Sequence, residues 1–412
     1  MQSVQNPDVL IVGGGLAGLA CARQLIAAGR SVCIFEASDD IGGRVRTDRI
    51  DGFLLDRGFQ VLLTAYPEAQ KCFDYDALSL GTFEPGALVR INGKFERVAD
   101  PWRRPGQALS TLFSSIGSFE DKMRVAQLRK QVTAGSVADI FASKETSSID
   151  FLRAYGFSHS MIAGFFEPFF GGIFLERQLS TSDHMLQFVF RMFSDGYAAL
   201  PAEGMGALPR QLAAGLPPQT IRTGAKVARI IKGGVTLESG EKFFAKATVL
   251  ATDFSSATTL VPSIPEIRPK GTTCFYFAAD RAPVDEPILL LNGTSQGMIN
   301  SVCVPSLISR SYAPGASHLI SVSVVDQDAR ANVGKIMEEL GEWFGPDTQA
   351  WKPLKSYWIP YALPEQTRVP DPNTQLREDG IYVCGDYRST ASINGALLSG
   401  RLTAEAICAE VN

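Results

Sequence analysis

The sequence predicts an α/β chain, α+β overall, and three observations predict it. The chain opens on a short apolar run, a glycine cluster and an apolar helix that leads into a second apolar run. It closes on another apolar run, a Gly-Asp turn and a helix rich in small residues. Between these ends, helical stretches give way to runs of β-branched and aromatic residues, the pattern of a mixed sheet flanked by helices.

Composition bounds the reading. With 412 residues, 45% hydrophobic and 20% charged, the chain has apolar content and length for two domains. Thirty-nine basic residues stand against 43 acidic ones, a balance that excludes a general polyanion binder, so nucleic acid is not expected as a partner. The seven cysteines are scattered, odd in number and without a C-x-x-C pair, which argues against a disulfide framework and a zinc site. The expectation is a reducing, cytoplasmic location. No apolar run reaches the roughly 18 to 20 residues that cross a bilayer, so no transmembrane segment is expected. Val9 to Ala22 could pass for a secretory apolar region, but no Lys or Arg precedes it and it is full of glycine.

The opening resolves into a βαβ unit. Val9 to Val12 reads as a buried parallel strand, Gly13-x-Gly15-x-x-Gly18 as a turn into a helix that runs to Ala28, and Ser31 to Phe35 as a second strand that ends at Glu36. Gly13 permits the tight turn, Gly15 lets a pyrophosphate approach the backbone, and Gly18 lets the helix pack closely on the strand. Free N–H groups and the positive helix end face the phosphates. Glu36, 18 residues after Gly18, stands where an acid accepts hydrogen bonds from a ribose. Leu16, Ala17 and Ala37 belong to the same cradle, which makes this part of the chain a Rossmann-like dinucleotide-binding domain.

The next residues, "EASDDIGGRVRT", add Gly42, Gly43 and Arg44, which a simple NAD-binding unit does not need. Arg44 could neutralise a pyrophosphate or be a solvated surface residue. Joined to the first motif, the string resembles the FAD-binding signature of the flavin-containing amine oxidase superfamily, which includes phytoene desaturases and protoporphyrinogen oxidases. The resemblance returns in "DGFLLDRGFQVL", where Gly58, Phe59 and Gln60 would lie beside the flavin. It returns again in "LPAEGMGALPRQLAAGL" with "KVARI", where Val227 would meet the adenine end, and in Gly380 to Ile407. There Ile381 to Cys384 reads as a strand, Gly385-Asp386 as a turn and Asn394 to Ile407 as a helix. By the resemblance, Asp386 accepts from the ribityl or pyrophosphate region. The helix start at Ser392 and Ile393 faces the flavin's pyrimidine edge, where a positive helix end stabilises charge gained on reduction.

These segments imply an FAD domain of residues 1–80, 200–265 and 370–412, and a discontinuous substrate domain of mixed sheet and helices in 81–199 and 266–369. Between Phe119 and Leu212 the pattern is mostly helical; Thr272 to Asp280 and His318 to Val325 read as strands. In "GFFEPFFGGIFLERQLSTSD", Phe165, Phe166, Phe169 and Phe170 resemble the apolar wall of a desaturase cavity, although aromatics at helical spacing are more often core. Phe165 and Phe169, with Trp358 and Tyr361 of "YWIPYALPE", are the candidate substrate-lining residues; the latter two could cover the flavin or simply pack the sheet.

A flavin can take a hydride at N5 with the protein supplying position and electrostatics, so no acid, base or nucleophile is obligatory. No nucleophile triad or metal-ligand spacing is apparent, and His159, His184 and His318 read as structural. Many amine oxidases resembling this chain carry an aromatic cage residue where Ser392 stands, as well as a lysine near N5, from which Lys270 is about two residues out of register. No cysteine stands where covalent relatives tether the cofactor, so dissociable FAD is expected. The resemblance therefore implies dehydrogenation of a hydrophobic small molecule, isoprenoid-, carotenoid- or tetrapyrrole-like. The alternatives are a flavin-dependent amine oxidase, a flavin-dependent polyene isomerase, and a non-catalytic prenyl carrier of the GDP-dissociation-inhibitor kind, against which the complete dinucleotide motif argues. Oxygen, a quinone and NAD(P) stay open as acceptors, and the Phe165 to Phe174 region is a candidate for peripheral membrane contact.

Overall fold

Val9–Val12 carries four consecutive buried apolar residues, and a strand buried on both faces needs parallel neighbours and cover above and below. The computed structural model, which describes residues 6–99, 103, 115–294, 296–374 and 377–410, supplies them. Val9–Val12 lies between Val32–Phe35 and Ala247–Leu250 in a six-stranded sheet of order Ile221–Arg222, Val32–Phe35, Val9–Val12, Ala247–Leu250, Ile381–Val383, Arg377–Glu378. Neighbours are parallel except for the last pair. One face is covered by the opening helix, Leu16–Ala27, and the closing helix, Ile393–Glu410. The other packs on the antiparallel meander Val227–Ile231, Gly234–Leu237 and Lys242–Phe244 and on the helix Phe254–Leu260.

A second sheet has seven strands in the order Lys352–Pro364, Pro269–Ala279, His318–Val325, Ser301–Cys303, Leu289–Asn292, Gly86–Ile91, Lys94–Ala99. Alternation along Pro269–Ala279 divides its side chains. Cys274 and Tyr276 join the core shared with the first sheet, whereas Phe275 and Phe277 pack under the helix Val333–Phe344 through Ile336, Leu340 and Trp343. The expected strand Thr272 to Asp280 thus begins earlier, at Pro269, while His318–Val325 has the expected bounds. The stretch between Phe119 and Leu212 is helical as expected, with one exception. Ala198–Leu200 pairs with Leu62–Leu63 and Gly81–Thr82, a strand too short to show a period of its own.

The hairpin Thr47–Ile50/Phe53–Asp56 joins the two sheets. Asp48 accepts from Arg57 Nε (3.0 Å) and Nη2 (2.9 Å), from Lys355 Nζ (3.0 Å) and from Tyr357 Oη (2.7 Å), the last two on the long strand of the second sheet. Burial pushes the Asp48 carboxyl up, but these donors outweigh it and hold it at about 2. A carboxylate lowered in this way contributes stability that is full above its unfolded value near ~4 and is lost as pH falls towards 2. Allowing for its partial exposure, Asp48→Asn is expected to cost about 1–2 kcal/mol at pH 7, a gap that closes as the pH approaches 2. Denaturant titrations of both proteins across that range check it; a gap that does not change with pH would contradict it.

Candidate active site

The glycine turn is shaped by what cannot fit beside it. Gly13 has φ +111°, and a Cβ there would lie 2.7 Å from the Ala251 carbonyl oxygen on the neighbouring strand's exit. A Cβ at Gly18 would lie 2.1 Å from the Gly13 oxygen, so the opening helix sits closer to the turn than any side chain allows. Gly15 differs: a Cβ there would meet nothing within 4 Å. Its exposed face opens on free space, beside the first turn of a helix that no side chain caps.

The second glycine pair is stitched to the first turn. Gly42 N–H donates to the Gly14 oxygen (2.9 Å), Gly15 bridges to Gly42, and a Cβ on Gly43 would stand 3.6 Å from Gly15 Cα. The Glu36 carboxylate accepts from Gly14 N–H (2.7 Å), Ser38 N–H (2.8 Å) and Ser38 Oγ (2.7 Å), which leaves one of its roughly four lone-pair sites for a ribose hydroxyl. Glu36 N–H donates to the Arg222 oxygen and Glu36 O accepts from Ala225 N–H, which brings the strand bearing Val227 alongside the acid. Leu16 and Ala17 are buried in the first helical turn, and Ala37 is exposed just after the acid.

Arg44 reaches the opposite end of the chain. Its Nη2 meets Asp386 Oδ1 at 2.6 Å and its Nη1 donates to the Ala362 oxygen at 2.9 Å. Burial alone would lower the guanidinium's affinity for its proton, but the Asp386 carboxylate reverses the effect and raises it. Gln60 Nε2 donates to the Arg44 oxygen at 2.8 Å, and Phe59 packs edge-on against Phe83. Gly58, at φ +94°, lies against Ile359 of the second sheet. Ser392 Oγ accepts from Gly395 N–H (3.0 Å) and so caps the closing helix, which starts at Ile393, one residue before the expected Asn394. A Cβ on Gly395 would lie 1.9 Å from the Thr390 oxygen, which is why the loop can fold so tightly over the helix start.

One region therefore gathers Gly13, Gly15, Gly18, Glu36, Gly43, Arg44, Gln60, Gly385 and Asp386, joined by the contacts above. Open backbone beside Gly15, a helix N-terminus, a cation and an acid with spare acceptor capacity fit a dinucleotide. The four phenylalanines divide. Phe166 and Phe170 are fully buried, while Phe165 and Phe169 are half-buried, stack on each other with centroids 5.4 Å apart, and extend to Phe193 rather than to the glycine turn. Spacing of four residues puts Phe165 with Phe169 on one helix face and Phe166 with Phe170 on the next. Trp358 faces away from the core that the two sheets share. A Cβ at Gly271 would lie 2.3 Å from its indole and its cross-strand partner is Thr273, whose hydroxyl bonds to Gln327 on the outer face of the sheet. The strand's inward residues are Tyr357 and Ile359, which pair with Cys274 and Thr272. Tyr361 is 44% exposed and packs on Phe254, beside the Ala362 oxygen that Arg44 holds.

Lys270 is buried and paired with Glu176, which also accepts from Ser180 Oγ (2.6 Å), Thr181 N–H and Thr181 Oγ1 (both 2.7 Å). Neither Glu176 nor Gln366, whose amide holds the Ser389–Ala391 loop, carries a sequence signal; both act across long chain separations. His184, a buried histidine, touches Ser143 Oγ at 3.1 Å and has a structural setting. No group of His, Cys, Asp and Glu able to hold a metal occurs among the described residues.

The chain is 39% identical to coproporphyrinogen III oxidase of Propionibacterium freudenreichii over 84 residues, 20% of this chain and 16% of that protein. It is 27% identical to polyamine oxidase 2 of Arabidopsis thaliana over 97% of this chain and 88% of that protein. A solved oxidoreductase from Methanosarcina mazei shares the fold, with a TM-score of 0.73 and 18% identity over 96% of this chain and 99% of that one.

Two substitutions separate fold from cofactor. Gly15→Ala is expected to leave the apoprotein's stability within about 0.5 kcal/mol and to lower FAD affinity about tenfold or more, whereas Gly18→Ala should cost about 1–3 kcal/mol of stability itself. Arg44→Ala should weaken FAD binding by about 10- to 100-fold, and unchanged affinity in a fluorescence titration would remove Arg44 from the site. A family model described as flavin-containing amine oxidoreductase matches residues 16–408, with FAD as its cofactor, and the chain belongs to that family of flavin-dependent oxidoreductases.

Proposed function

We propose that this enzyme dehydrogenates a hydrophobic small molecule, isoprenoid-, carotenoid- or tetrapyrrole-like, with dissociable FAD. In this reading residues 1–80, 200–265 and 370–412 hold the cofactor, and 81–199 and 266–369 hold the substrate. FAD supplies the acceptor for a hydride equivalent from a substrate C–H. The chain's own residues bind and orient. The turn Gly13–Gly18 and Arg44 take the pyrophosphate, Glu36 the ribose, Asp386 the ribityl region, and the closing helix turns its positive end towards the flavin's pyrimidine edge. Phe165 and Phe169 supply apolar surface in the substrate segment.

The observation that carries the substrate class is Ser392. At a position where an aromatic ring would cage an amine, a small hydroxyl is spent on capping the closing helix and on a 2.9 Å contact with Thr390 Oγ1. The likeness to a coproporphyrinogen III oxidase supports a tetrapyrrole-like substrate. Amine oxidation is the second reading, favoured by the alignment with polyamine oxidase 2 along nearly the whole chain. No helix among the described residues is long and apolar enough to cross a membrane. The Phe165 to Phe174 region is the candidate for peripheral membrane contact.

Anaerobic mixing of the FAD-loaded enzyme with candidate substrates tests this. Bleaching of the flavin by porphyrinogens or apolar polyenes, with polyamines inert, is the expected result. Bleaching by amines alone would overturn the substrate class in favour of the second reading.

A further inference from the structure

Gln366 lies just beyond the long strand Lys352–Pro364 and is 4% exposed, and its side-chain amide hydrogen-bonds away from that strand. Both ends of the amide are spent on one short loop. Nε2 donates to the Ser389 oxygen at 2.6 Å and Oε1 accepts from Ala391 N–H at 2.7 Å. A backbone carbonyl at one end and a backbone N–H at the other leave no choice in the orientation of the amide.

The loop it holds is the link between the Gly385-Asp386 turn and the closing helix. Ser389 and Thr390 are buried, and Ser392, one residue after the clamped Ala391, is the helix cap. Gln366 is also held from its other side. Its backbone oxygen accepts from Ser182 N–H at 2.9 Å, and Ser182 caps the helix Asp183–Asp195 and donates to Glu145. Glu145 accepts in turn from Val369 N–H at 2.7 Å, so the chain on both sides of Gln366 is pinned. A single residue thus joins the helical layer, through its backbone oxygen, to the loop that sets the start of the closing helix, through its side chain.

We propose that Gln366 is a positioning residue for the flavin: its amide fixes where the closing helix's N-terminus stands relative to the substrate-bearing sheet, and so tunes how well the enzyme stabilises reduced flavin. The inference rests on the reading that this helix start faces the flavin. The physical basis is the short reach of a helix end. Its effect on charge falls off within the first turn, so a loop that moves by part of a turn changes the field where negative charge collects on reduction.

The test uses the FAD-saturated enzyme and measures the flavin's two-electron midpoint potential, its visible spectrum and the thermal midpoint. Gln366→Leu strands the Ser389 oxygen and the Ala391 N–H. Gln366→Glu keeps the acceptor for Ala391. Thr273→Val is the control, because Thr273 Oγ1 also makes one donated bond (to Gln327 O, 2.7 Å) and one accepted bond (from Ala329 N–H, 2.9 Å), but on the outer face of the sheet. Gln366→Leu is expected to shift the ratio of oxidised to reduced flavin about tenfold towards the oxidised form, a midpoint lower by about 30 mV, with a changed visible band. Gln366→Glu should give a smaller shift in the same direction, and Thr273→Val a loss of thermal stability with no shift. A Gln366→Leu enzyme that loses stability as the control does, with wild-type potential and spectrum, overturns the proposal. Ser392→Ala, which strips the cap from the helix itself, separates the two levels. A shift there but not in Gln366→Leu defeats the role of Gln366 alone, whereas no shift in either defeats the reading that the helix faces the flavin.

Discussion

Two missing side chains hold the site together. A Cβ on Gly18 would lie 2.1 Å from the Gly13 oxygen, and one on Gly400 would lie 2.2 Å from the Ala17 oxygen. The opening helix is therefore gripped from two directions at adjacent residues, by its own turn and by the closing helix. Both contacts are backbone against backbone, where neither partner can yield by changing rotamer. Two helices, one near each end of the sequence, are thereby placed on one face of the parallel sheet, each following a strand of that sheet. Ligands of such sheets bind beyond the carboxyl ends of the strands, and this arrangement brings two helix starts there.

Charge follows from that convergence. Arg44 and Asp386 belong to the two ends of the chain and meet at 2.6 Å only because the helices have been brought together. The hairpin between them shows how neighbouring carboxyls are told apart by their surroundings. Asp48 faces a guanidinium, an ammonium and a phenol and is held at about 2. Asp56, cross-strand from Thr47 in the same hairpin, is pushed up to about 6 by burial, because its donors, Thr47, Met205 N–H and Tyr312, are all neutral. One of the pair thus ties the hairpin to the second sheet electrostatically, and the other is tolerated because neutral donors surround it.

What the sequence made legible is what is local. The strand, turn, helix and acid from Val9 to Glu36 form one unbroken pattern, and the structure has each element in place with bounds moved by a residue. Gly42 to Arg44 and Gly385-Asp386 were legible through resemblance, since nothing in their own spacing says that they meet. Gln366 and Glu176 were not legible at all. Their partners lie 23, 25 and 94 residues away, and a glutamine after a strand or a glutamate in an apolar stretch has no periodicity that marks it. For Trp358 the sequence left open whether it covers the flavin or packs the sheet, and pairing with Thr273 puts it on the sheet's outer face, a choice that only the cross-strand partner fixes.

The Lys270–Glu176 pair bears most directly on the kind of chemistry this fold can support. Glu176 accepts from the Lys270 ammonium, a serine hydroxyl, a threonine hydroxyl and a backbone N–H, four donors for about four lone-pair sites. Such a carboxylate has no capacity left to act as a base, and its lysine, 5% exposed, balances it within the interior. Breaking either partner would leave a buried charge alone, so the pair is a closed structural unit rather than a reserve of acid and base. Ser392 is likewise engaged as the cap of the closing helix, and the His184 ring rests against the Ser143 hydroxyl. A closed pair of this kind is compatible with the division of labour expected when the cofactor carries the redox chemistry and the protein supplies position.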